Sequence, residues 1–87
     1  MTVREITLDV RELEPPEPYE RATETLLDLP EGHYVRMISR RRPRLLYPWL
    51  EEMGFHERTR EHGAGHFEIF IWAESDDAVA EFVADNL

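Results

Sequence analysis

The sequence predicts an α/β domain: a two-layer sandwich of order βαβαββ, with a mixed four-stranded sheet, two helices on one face and an extra C-terminal helix. Three observations predict it. Segments alternating apolar and polar residues are interleaved with segments whose apolar residues recur every three or four positions. Proline or glycine stands at most of the junctions. The last two strand-like segments are separated by the short run His62-Gly63-Ala64-Gly65, which suits a hairpin loop. Strands alternating with helices bury their apolar faces best as a sheet with helices packed on it.

The first strand is expected over 5–11, with Ile6, Leu8 and Val10 on one face and Glu5, Thr7, Asp9 and Arg11 on the other. Pro15, Pro16 and Pro18 stop it and open a helix over 18–29, since proline costs nothing at the first helical position. Tyr19, Ala22, Leu26 and Leu29 form the apolar stripe of that helix, and Glu17 and Glu20 sit near its positive end. Leu29-Pro30-Glu31-Gly32 reads as a turn. His33 opens a second strand running to Ser39, with Val35 and Met37 facing one way and Tyr34, Arg36 and Ile38 the other.

Pro43 opens a second helix over 43–53, striped by Leu46, Trp49, Leu50 and Met53, and Gly54 stands at the left-handed C-terminal cap. The polar segment 55–61 reads as an edge strand. The segment 66–73 is a stronger strand, with Phe67, Ile69 and Ile71 opposite Glu68, Phe70 and Trp72. Ser75 is expected to cap a last helix over 75–86, whose apolar side is Val79, Phe82, Val83 and Leu87. Tyr34, Ile38, Phe70 and Trp72 then share the sheet face opposite the first two helices. Either the last helix covers them or they form an exposed interaction patch.

Eighty-seven residues suit a single domain with one core, spanning 1–87. The balance of charge narrows the partners. Every basic residue is arginine, and ten of them face nineteen acidic residues for a net charge of −9. Nucleic acid and anionic membranes, both of which attract basic proteins, are disfavoured. With no cysteine there is no disulfide, thiolate nucleophile or sulfur-ligated metal. The chain starts without the apolar core of a signal peptide and carries no apolar run of about 20 residues, so a cytoplasmic, soluble protein is expected.

The run Leu8-Asp9-Val10-Arg11-Glu12-Leu13-Glu14-Pro15-Pro16-Glu17-Pro18 resembles the signature of the TusA/SirA-like sulfur-carrier family, roughly LDxRGLxCPxP. Leu8, Asp9, Arg11, Leu13, Pro16 and Pro18 match, and the resemblance covers about residues 4–73, leaving the last helix outside. Glu12 replaces the glycine of that pattern, and Pro15 replaces the cysteine that carries the persulfide. The chain is thus similar to a branch of this fold that lacks the carrier cysteine. The resemblance implies the βαβαββ fold and, from the company such modules keep, an accessory role in redox or nitrogen-oxide metabolism. It also marks Asp9, Arg11, Pro16 and Pro18 as motif positions, for which a structural role is expected.

Arg40, Arg41, Arg42 and Arg44 are the most informative polar feature. They fall at the expected start of the second helix, where backbone N–H groups attract anions and where uncompensated cations are unfavourable. Three uses are open to them: a solvated loop paired with nearby glutamates, the docking surface of a protein partner with an acidic surface, or a small-anion site. His62 and His66 flank glycines and so lack helical metal-ligand spacing, while His33 and His56 belong elsewhere. No catalytic residue, metal site or cofactor is expected. The reading is a non-catalytic interaction module, monomeric or weakly dimeric; its alternative is a small-anion or cofactor-binding protein taking direct part in redox or sulfur metabolism.

Overall fold

The computed structural model describes residues 2–87. Strands β1 (Arg4–Asp9), β2 (His33–Ser39), β3 (Phe55–Gly63) and β4 (His66–Ala73) form one sheet in the order β1-β2-β4-β3. β1 is parallel to β2, and the other pairs are antiparallel, so the sheet is mixed as expected. Helices α1 (Glu17–Leu27), α2 (Leu46–Met53) and α3 (Asp77–Asn86) complete the fold.

Alternation within β2 divides the interior into two cores. Val35 and Met37 point to the face covered by α1 and α2, where Ala22, Leu26, Leu46 and Leu50 meet Ile69 and Ile71. Tyr34 points the other way and joins Phe70 and Trp72 beneath Val79 and Val83 of α3. The C-terminal helix therefore covers the second face of the sheet, but only at one end. Ile38, expected beside these aromatics, lies beyond it and is half-buried between Asp9 and Glu68 in the strand register.

Several boundaries differ from the expectations, each for a local reason. β1 ends at Asp9, although Val10 N–H still donates to Ile38 O at 2.9 Å. The Asp9 carboxylate accepts the Arg11 N–H at 3.1 Å and turns the chain there. α1 stops at Leu27, with Asp28 as its C-cap, and the turn to β2 comes next, with Gly32 at φ +80°.

α2 starts three residues after Pro43. Arg42 precedes that proline and is disfavoured in helical conformation. Pro48 is tolerated only in a helix's first turn, so a helix begun at 43 would carry it in its interior. Residues 43–45 form a tight turn instead, closed by Leu46 N–H donating to Pro43 O at 3.0 Å. α3 is capped by Asp76, not Ser75: its Oδ1 accepts the Val79 N–H at 3.3 Å. Among the described residues, no helix is long and apolar enough to cross a membrane.

Candidate binding groove

β1 and β2 run parallel, so the chain leaves the sheet at the same edge after each of them. The two loops that begin there build the walls of a groove of about 550 Å³. Val10 and Ser39, the residues at those two strand ends, lie in its floor with Leu13 and Leu46. Pro15, Pro16, Pro18 and Tyr19 form one wall, and the loop 40–45 forms the other. The Pro15–Pro16 peptide is cis. Ser39 sets the path of the loop: its hydroxyl donates to Arg41 O at 2.7 Å, and Arg41 N–H returns a bond to Ser39 Oγ at 3.2 Å.

This geometry gathers all four arginines singled out from the sequence onto one wall, facing the two motif prolines Pro16 and Pro18. The cluster precedes α2, whose N-cap is Leu45, so Arg44 stands immediately before the cap and Arg40–Arg42 lie further upstream. The Leu46 N–H is bonded to Pro43 and Pro48 has no N–H, so the first turn of α2 offers few free donors.

The arginines differ in their partners. Arg40 Nη2 lies 3.3 Å from Glu14 Oε1, an ion pair joining the two loops that flank the groove. Arg42 Nη2 reaches Glu61 of β3 at 3.5 Å, and its guanidinium lies over the Phe67 ring, 5.3 Å from the centroid. Both pairs are well exposed, so each contributes at most about 1 kcal/mol. Among the described residues, no carboxylate lies within ion-pair distance of Arg41 or Arg44. Leu45, next to Arg44 in the chain, also lines the groove and is 81% exposed. No buried partner accounts for that exposure.

The other two motif residues lie outside the groove lining. Arg11 forks onto Asp9, with Nη2 2.7 Å from Oδ2 and Nε 3.0 Å from Oδ1. The Arg11 hydrogen bonds hold the Asp9 carboxyl down to about 2. This fork lies at the turn after β1.

A second polar constellation lies on the sheet face beside α3. Glu5 accepts from Tyr34 Oη at 2.9 Å and Arg36 Nε at 3.2 Å, and Arg36 Nη1 donates to Glu68 at 2.8 Å. Burial raises the Glu5 and Glu68 pKa values, but hydrogen bonds from Thr7, Tyr34 and Arg36 to Glu5, and from Arg36 and His62 to Glu68, outweigh it and leave both lowered. Burial, reinforced by the bond to Glu5, pushes the Tyr34 hydroxyl up to about 12. His62 and His66 do approach each other, with ring centroids 5.0 Å apart, and His62 Nε2 lies 3.0 Å from Glu68. Even so, among the described residues no three His, Asp or Glu side chains are grouped as a metal ion would need.

The sequence reading missed Val10, Leu13, Tyr19, Ser39 and Leu45 as groove residues. Leu45 carried a signal: it is an apolar residue following four arginines, outside any stripe that a helix starting at Leu46 would bury.

Fold and groove together define a small α/β sandwich with an arginine-walled apolar cleft at the ends of its parallel strands. The chain belongs to the family described as "Uncharacterized conserved protein (DUF2249)", whose sequence pattern matches residues 7–73. The matched segment contains the whole groove and leaves out α3. No curated protein and no solved structure matches the chain.

Proposed function

We propose that the chain is a non-catalytic binding module whose groove receives a protein partner with an acidic surface. The observation that carries this reading is the coincidence of four arginines with an apolar cleft, on a chain that is otherwise strongly acidic. Oppositely charged surfaces steer encounter and fix orientation, while the apolar floor supplies burial. A catalytic role finds no apparatus: the described residues lining the groove include no carboxylate and no histidine, and the Ser39 hydroxyl is already engaged with Arg41. A small-anion site would need convergent, buried donors, and the exposed arginines do not supply them.

The likeness of Leu8, Asp9, Arg11, Leu13, Pro16 and Pro18 to the sulfur-carrier signature supports a shared scaffold. With Pro15 in place of the cysteine, the scaffold keeps its surface and loses its sulfur chemistry, consistent with an accessory role in redox or nitrogen-oxide metabolism.

The test is affinity purification from the native host with the parent chain and the Arg41→Gln/Arg44→Gln variant in parallel, at low and physiological salt. An acidic protein retained by the parent, depleted by salt and lost with the variant is the expected result. Equal recovery with the variant, or turnover of a small substrate by the purified chain alone, would overturn the reading.

A further inference from the structure

We infer that the occupant of the groove is an extended peptide segment in which one large apolar side chain is flanked by carboxylates. This rests on the binding-module reading and specifies its ligand. The groove has two chemically different parts. Its floor of Val10, Leu13 and Leu46 is bordered by prolines and the Tyr19 ring, which offer no charge for a polar ligand to pair with. Its other wall is the loop 40–45, whose arginines border the cleft; Arg40 and Arg42 already have glutamate partners, while Arg41 and Arg44 have none among the described residues.

A small inorganic anion would satisfy the wall and leave the floor wet. A purely apolar ligand would fill the floor and leave Arg41 and Arg44 uncompensated. A segment carrying both features satisfies both parts. A cavity of about 550 Å³ falls in the range of small-ligand sites, enough for one anchoring side chain with its flanking backbone. Leu45, 81% exposed next to Arg44, would be covered by the same segment. The charge of the rest of the chain supports the choice: an acidic segment meets repulsion over most of the surface and attraction at this wall, so the field itself selects the site.

The experiment is amide chemical-shift titration of the full chain with four defined probes: a nine-residue peptide with a central Leu between two Glu pairs, the same peptide with Gly at the centre, the same peptide with every Glu changed to Gln, and inorganic phosphate. The first peptide is expected to shift the amides of Ser39, Arg41, Leu45 and Leu46. Loss of the anchor should weaken binding at least about tenfold, as burial of one leucine implies. Loss of the carboxylates should weaken it about tenfold at low salt and less at physiological salt, where screening acts over about 8 Å.

Leu45→Ser and Arg41→Gln/Arg44→Gln, both at exposed positions, should retain the parent's dispersed spectrum and bind the first peptide more weakly. Groove shifts produced by phosphate and by none of the peptides would overturn the peptide inference while leaving a groove ligand in place. Shifts confined to α3 or β3 would overturn both readings. Concentration-dependent groove shifts without any probe would replace the peptide with a second copy of this chain, which exposes Leu27 beside the acidic residues Asp28 and Glu31.

Discussion

The Asp76 carboxylate joins the two ends of the second core: Oδ1 caps α3 through Val79 N–H, and Oδ2 accepts the Gly32 N–H at 2.8 Å, 44 residues away in sequence. Gly32 is buried, and its carbonyl accepts the Arg4 N–H at the head of β1. One side chain therefore fixes the start of α3 against the turn that begins β2. Asp76→Ala removes the cap and strands a buried N–H, so a loss of about 2–4 kcal/mol is expected. Asp76→Asn, which keeps one acceptor oxygen, should lose about half as much. Urea unfolding read by tryptophan fluorescence measures both, and equal stability of all three chains would refute the linking role.

Leu26 and Leu27 are neighbours with opposite environments: the first is buried beneath the sheet and the second is 62% exposed. The turn of α1 makes the difference. Leu26→Ala should cost about 2–5 kcal/mol through the cavity it leaves. Leu27→Ala should change stability by no more than about 0.5 kcal/mol. Thermal or urea unfolding of the two variants reports the phase of the helix, and a reversed order would place the wrong face inward.

The strands were legible in the sequence because burial on one face imposes a period of two, and β2 falls on the predicted residues His33–Ser39. Gly54, at φ +83°, ends α2 where a left-handed cap was expected. The ends of α2 and α3 were less legible because competing local signals had to be weighed. Pro43 and Pro48 both favour a helix start, and only their joint sterics select the later one. Ser75 and Asp76 are both good caps, and the long-range bond to Gly32 decides between them.

The groove was legible in part. The four arginines stand out by composition, but that Val10, Leu13 and Tyr19 lie against them depends on β1 and β2 being parallel neighbours, which brings loops 26 residues apart (Glu14 and Arg40) into contact. Strand pairing of that range has no signature in local periodicity.

The acidic limb of the stability curve is set by the lowered carboxylates. The Asp9 pKa falls from 3.8 to about 2, and those of Glu5 and Glu68 fall from 4.5. A group whose folded pKa is depressed contributes stability above its unfolded pKa and loses it as pH falls through the folded value. The Asp9 contribution should therefore disappear between about pH 4 and pH 2. Tyr34 acts at the other end. Its pKa rises from 10.0 to about 12, so its contribution is present below pH 10 and lost as pH approaches 12. Tyr34→Phe should flatten the alkaline limb, and Glu5→Gln should lower the Tyr34 pKa and shallow the acidic limb. Unfolding free energy against pH, with phenolate absorbance for Tyr34, tests both. An unchanged tyrosine titration in the Glu5 variant would contradict the coupling.

Pro15, where the proposed likeness to sulfur carriers would call for a cysteine, lies in the groove wall with its peptide to Pro16 cis. Persulfide transfer requires a thiolate that attacks a sulfur donor and holds the added atom as S–S. The chain has no thiol, and its three sulfur atoms are methionine thioethers, which have no proton to lose and form no stable disulfide. Incubated with a persulfide donor and then separated from it, the intact protein should show no added sulfur by mass spectrometry, at any pH that keeps it folded. The groove should meanwhile still bind the acidic peptide, since neither the arginine wall nor the apolar floor depends on a thiol. A stable adduct of one sulfur atom would show that the scaffold carries sulfur by a route other than cysteine, and would remove the basis for regarding it as a binding module alone.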